Sequence, residues 1–139
     1  MKRNFAIIFG VLFPFFIISC EVPNVYDDSN AIINNKDMSL FLNSVLTNVS
    51  DTYNQKVNKF NGMETIRTIN KSGELTFEIS LIISSGRFKM VLVKDNDIIL
   101  VTDENTDRII SFNNLENGTY KLKIIGDEAK FDLKFKNIK

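Results

Sequence analysis

The side chains best suited to chemistry in this chain are two small acidic groups, Asp95 with Asp97, and Asp103 and Glu104 with Asp107. Carboxylates are hard oxygen donors, and calcium takes about six to eight oxygens, so a metal site would draw on Asp103, Glu104 and Asp107. Neither group has the alternating carboxylates, central glycine and terminal glutamate of an EF-hand loop. The short apolar run Ile98 to Val101 lies between them, and an extended strand would carry the two groups to opposite ends of a sheet. A solvated turn accounts for each of them. Ser84 and Ser85 fall at a turn signal with no base beside them, and the chain contains no His, the commonest general base and metal ligand. Trp is absent as well, and no Gly-rich phosphate loop is present. No catalytic residue is assigned, no cofactor is expected, and the chain does not read as an enzyme.

The elements that would position these groups are strands. In "GELTFEISLII" Leu75, Phe77, Ile79 and Leu81 alternate with polar residues, and in "RFKMVLV" Phe88, Met90 and Leu92 share a face. Ser85-Gly86 between them predicts a hairpin. Lys94 to Asp97 predicts a second turn, Asn117-Gly118 a third, and Gly126-Asp127 the start of the last strand. "TYKLKII" turns Tyr120, Leu122 and Ile124 inward and Lys121 and Lys123 outward; "KFDLKFK" alternates Phe131, Leu133 and Phe135 with charged residues. Short strands about ten residues apart, with no long helix between them, argue an all-β, mainly antiparallel β-sandwich of about seven strands. Residues 38–60 fit either a short helix near 38–47 or a pair of strands. The stretch "LENGTYKLKI" resembles the penultimate-strand entry of many immunoglobulin-like and jelly-roll domains of exported bacterial proteins, and that resemblance implies a fold class and no function. Lys121, Lys123, Lys130, Lys134 and Lys136 form either a basic strip facing an anionic surface or the outward face of two strands, with Lys guarding an edge.

With 139 residues, 44% of them hydrophobic and 24% charged, the chain is long enough for one domain with a core of its own. Lys2 and Arg3 are the only charges before Cys20, so the remainder holds two more acidic than basic residues, and a nucleic-acid partner is not expected. Cys20 is the one cysteine, which rules out an intramolecular disulfide or a thiolate zinc cluster.

Its position gives that cysteine a different meaning. A basic start, an apolar stretch from Phe5 to Ile18 and then Ser19-Cys20 have the layout of an export signal, and the stretch is shorter than the roughly 20 residues that cross a bilayer core. Ile17-Ile18-Ser19-Cys20 resembles the lipobox of bacterial lipoproteins, although that family prefers Leu at the first position and Ala or Ser at the second. The resemblance implies alkylation of the Cys20 thiol with diacylglycerol, cleavage between Ser19 and Cys20, and a lipidated first residue. Since each buried methylene contributes about 0.8 kcal/mol, two or three acyl chains hold a soluble domain to a membrane almost permanently. The expected organisation is a signal peptide over 1–19, a lipidated cysteine and flexible tether over 20–37, and a β-domain over 38–139, with Ile32 and Ile33 close enough to dock on it.

The functional expectation is therefore a membrane-anchored lipoprotein on the extracytoplasmic side of a bacterial cell envelope, acting as a binding or interaction module for an unknown envelope or extracellular partner. The alternatives are a metal-assisted envelope enzyme using the acidic loop 103–107, and a purely structural surface protein.

Overall fold

Period-two alternation carries the chain into strands far longer than the turn signals suggest. The computed structural model describes residues 22–34 and 36–138. A five-residue helix α1 (Ser29–Ile33) comes first, followed by β1 (Met38–Val49), β2 (Thr52–Lys94), β3 (Asp97–Thr102) and β4 (Thr106–Asn137). All strand pairings among the described residues are antiparallel.

The register explains the architecture. Thr52 faces Lys136, Met63 faces Ile125, Asn70 faces Thr119 and Leu81 faces Thr106, so β2 and β4 form one long ladder. Its tip is closed by β3, where Lys94 faces Asp97 across the Asp95-Asn96 turn. Residues 52–137 are thus a single hairpin ribbon. The same two strands also pair a second time, with Phe77 facing Asn137, Ile83 facing Phe131, Phe88 facing Gly126 and Val93 facing Lys121. A ribbon can make that second ladder only by rolling up until its tip half lies against its base half. The result is a jelly-roll-like β fold within the β-sandwich class. β1 lies on the other side of the first strand, with Met38 facing Met63 and Val49 facing Thr52, which settles residues 38–60 as two strands.

Rolling requires the strands to bend, and the turn residues supply the bends. Ser85-Gly86, expected to reverse the chain, lies inside β2; Asn117-Gly118 and Gly126-Asp127 lie inside β4. Gly86 has φ 72° and Glu128 φ 52°, and the register slips between Ser85 and Arg87. Positive φ and a register slip are the signature of a β-bulge, which coils a strand without ending it. Four strands, two of them bent repeatedly, therefore stand where about seven were expected.

The inward faces agree with the alternation in the sequence. Leu75, Phe77, Ile79, Leu81, Phe88, Met90, Leu92, Tyr120, Leu122, Ile124, Phe131, Leu133 and Phe135 are all buried in one cluster inside the roll. Phe60, Phe88 and Phe131 pack ring against ring there, with centroids 5.8 Å and 4.5 Å apart. A second, smaller apolar cluster sits on the outside of the sheet, where Val25 and Ile32 cover Met63, Val91, Val93 and Ile125.

Candidate interaction surface

The outer cluster exists because residues 22–34 lie across the sheet as a strap. Asp28 caps α1 by accepting from the Ala31 N–H at 3.0 Å, and Ile32 points from the helix into the sheet. A helix this short has little stability of its own, so burial of Val25 and Ile32 must hold it. Polar contacts add to that hold. Tyr26 donates to the Phe88 carbonyl at 3.3 Å, and its ring lies 4.3 Å from the Arg87 guanidinium. Arg87 in turn bridges Asp27 and Asp127, each at 2.8 Å.

Lys123 stands on the same outer face, between Thr65 and Val91 of the neighbouring segments of β2. The alternation sent it outward, as observed, but its side chain is 0% exposed, so it cannot belong to a solvent-facing basic strip. Its Nζ donates to Asp37 Oδ1 at 3.1 Å and lies 3.8 Å from Met63 Sδ. Burial pushes its pKa below the ordinary lysine value, and the hydrogen bond to Asp37 works against that shift. Nearby, burial and then the charge of Asp37 raise the Glu64 pKa. Lys130, Lys134 and Lys136 remain exposed.

Beside the strap lies an open groove of about 510 Å³, bounded by Val22 and Pro23 on one side and Leu40 and Leu42 on the other. Its polar floor is internally satisfied. Lys59 pairs with Glu128 at 2.5 Å, and Asn61 both donates to the Glu128 carboxylate at 2.8 Å and accepts from the Glu128 N–H at 2.6 Å. Hydrogen bonds from Lys59 and then Asn61 hold the Glu128 carboxyl below the usual range. The Glu128 carboxylate and Lys59 amine are committed to each other and the Asp127 carboxylate, also on the lining, to Arg87, so what the groove offers is chiefly contact area.

β1 continues this surface. Cross-strand partners share a face, so Met38, Leu40, Leu42, Val45 and Val49 follow the outward residues Met63, Asn61, Lys59, Lys56 and Thr52. All five are exposed, and β1 contains no charged residue. Asn43 has φ 51° and marks a break in the alternation: Phe41 and Ser44, three positions apart, face Phe60 and Val57, both of which point into the core. This shift is what leaves Val45 and Val49 outward.

Asp103 and Glu104 are exposed in the bend after β3, where the Thr102 hydroxyl donates to the Glu104 carbonyl at 3.1 Å, and Asp107 faces Ser80 within β4. No three His, Cys, Asp or Glu side chains converge to hold a metal among the described residues. Asp95 and Asp97 flank the ribbon tip at the other end of β3. Cys20 and Ser19 lie outside the described residues. Among those described, no helix is long and apolar enough to cross a membrane. Sequence reasoning did not single out the β1 face or the Asp37–Lys123 pair; the signal for the former is twelve residues without a charge.

No family model and no curated protein match the chain. Among solved structures it is similar to a cupin superfamily protein from Desulfitobacterium hafniense, with 14% identity over 76% of this chain and 80% of that chain and a TM-score of 0.29. So loose an overlay carries no argument about activity, and the fold rests on the strand register described above.

Proposed function

We propose that this chain is a lipid-anchored lipoprotein on the extracytoplasmic face of a bacterial cell envelope, and that its rolled β-domain is a non-enzymatic binding or interaction module. The lipobox-like Ile17-Ile18-Ser19-Cys20 supports the anchor. The observation that favours contact over chemistry is the uncharged, outward-facing apolar row of β1 beside a groove whose Lys59, Asn61 and Glu128 are already paired with one another. A surface of that kind is matched to an apolar counter-surface, that of a partner or of a membrane.

The anchor is tested by the mass of the N-terminal peptide from native membranes, compared with a Cys20→Ala variant. The expected peptide begins at Cys20 and carries a diacylglyceryl group, while Cys20→Ala remains unprocessed. An unmodified Cys20, or a native peptide that begins at Met1, overturns the reading.

A further inference from the structure

We propose that the outer face of β1 rests on the bilayer that holds the Cys20 lipid, with Met38, Leu40, Leu42, Val45 and Val49 seated in the interfacial layer. The inference builds on the anchored reading above and adds the orientation of the domain and the surface it meets.

Chain length carries the argument. Val22 lines the groove together with Leu40 and Leu42, and its Cγ1 lies 3.0 Å from where a side chain on Gly62 would begin. Cys20 precedes Val22 by two residues, which span at most about 7 Å. With the strap seated on the sheet, the lipid must therefore emerge beside the Met38 end of β1. The domain cannot stand clear of the headgroups, and the face beside the anchor is the one turned toward them.

The composition of that face fits the position. Met38, Leu40, Leu42, Val45 and Val49 are 49%, 41%, 47%, 70% and 66% exposed, a degree of exposure that leaves most of the row in water unless something covers it. Side chains stand roughly perpendicular to a sheet, so a sheet lying flat aims all five into the bilayer. Its outer backbone edge, unpaired among the described residues, then stays at headgroup depth, where water still satisfies its N–H and C=O groups. The next row inward is electrically balanced, with Lys59 on Glu128 and Lys56 on Asp132 at 3.8 Å. Docking is therefore apolar and insensitive to salt. A long, uncharged edge otherwise invites pairing with another chain, and a membrane contact shields it.

The chain has no Trp, so a single introduced Trp reports its own surroundings. Full-length protein purified from native membranes, with diacylglyceryl on Cys20 verified by mass, would be reconstituted into phosphatidylcholine vesicles with and without brominated acyl chains. Leu42→Trp and Val45→Trp are compared with Ile109→Trp, which replaces an exposed residue in the part of β4 farthest from β1 across the sheet. The expected result is a blue-shifted emission, quenched by bromine several times more strongly in the two β1 variants than in the control and unchanged by added salt. Equal or absent quenching with Cys20 lipidated overturns the docking alone. A blue shift without bromine quenching also overturns it and assigns the face to a protein partner, a second copy included. If Cys20 carries no lipid, the anchored reading falls and the docking falls with it.

Discussion

Lys123 and Asp37 are unequal partners. The lysine side chain is 0% exposed and the aspartate 40%, so one charge depends on the pair and the other can return to water. Breaking a buried pair costs most when the charge left behind stays buried. Asp37→Ala strands the buried ammonium beside Met63 and also removes the acceptor of the Thr65 N–H at 3.0 Å. It is expected to cost about 2–3 kcal/mol, with Lys123→Met neutral or slightly stabilising, since the thioether fills similar volume without a charge. Urea unfolding of the two variants checks the order, and a larger loss for Lys123→Met would contradict it. Glu64 adds a pH dependence. Its Oε2 is buried without a hydrogen-bond partner, and burial raises its folded pKa above the unfolded value of 4.5. The folded state thus binds the proton more tightly, so the contribution is present below 4.5 and is lost as pH rises through the folded value. Glu64→Gln keeps the uncharged form at every pH. It is expected to raise Tm at pH 7 and to show a much smaller gain near pH 4; the same gain at both pH values would contradict this assignment.

At the scale of elements, the glycine bends decide whether the ribbon can roll. Gly86 combines φ 72° with a close approach, since a Cβ there would run into the backbone of Glu128 and Ala129 on the neighbouring strand. Gly73 has φ 82° but nothing within reach of a Cβ. Gly86→Ala therefore incurs both the left-handed strain and a clash with atoms that cannot turn aside, an expected loss of about 3 kcal/mol or more, against about 1–2 kcal/mol for Gly73→Ala. Equal losses in denaturant melts would mean that the bend tolerates a side chain. The same bends mark the limit of what could be read from sequence. The alternations around Leu75 and Phe131 named the core correctly because a strand's two faces are a local property. Ser85-Gly86 and Gly126-Asp127 were misread because a reversal and a bulge ask for the same residues. Which one forms depends on whether the next segment pairs with its predecessor or, as here, with a strand some forty residues away. The outward direction of Lys123 was legible; its burial was not, since Asp37 and Met63, 86 and 60 residues away in the chain, close over its amine. Residues 38–60 fit a helix as well as strands because Phe41, Val45, Val49, Tyr53 and Val57 recur every four residues, and pairing of β1 with the stretch from Thr52 onward selects strands.

At the scale of the whole molecule, two apolar clusters meet through one sheet, and they differ in how much of the fold depends on each. The inner cluster joins both turns of the rolled ribbon, so a cavity there loosens every ladder together; Leu133→Ala is expected to cost about 2–5 kcal/mol in the global transition. The outer cluster joins only the strap to the sheet, and the sheet's hydrogen bonds survive if the strap lifts. Local opening of a lightly held segment can occur well below the free energy of global unfolding. Ile32→Ala is therefore expected to free the strap while the roll persists. Lys123 is a natural reporter, since its side chain is 0% exposed and its amine lies against Met63, which Ile32 helps to cover, while Lys130 is exposed. Amine acylation followed by peptide mapping should label Lys130 and spare Lys123 in the native protein. In Ile32→Ala it should label Lys123 several times faster than in the native protein, though still more slowly than Lys130 because Asp37 lies outside the strap, with the β-sheet circular dichroism and the urea midpoint little changed. Loss of the circular dichroism signal together with Lys123 labelling would instead make strap and roll one cooperative unit. Between these outcomes lies the mechanical meaning of residues 22–34: a strap that lifts independently frees about 13 residues, roughly 40 Å of extended chain, between Cys20 and the roll, and one that cannot lift holds the roll against whatever Cys20 is fixed to.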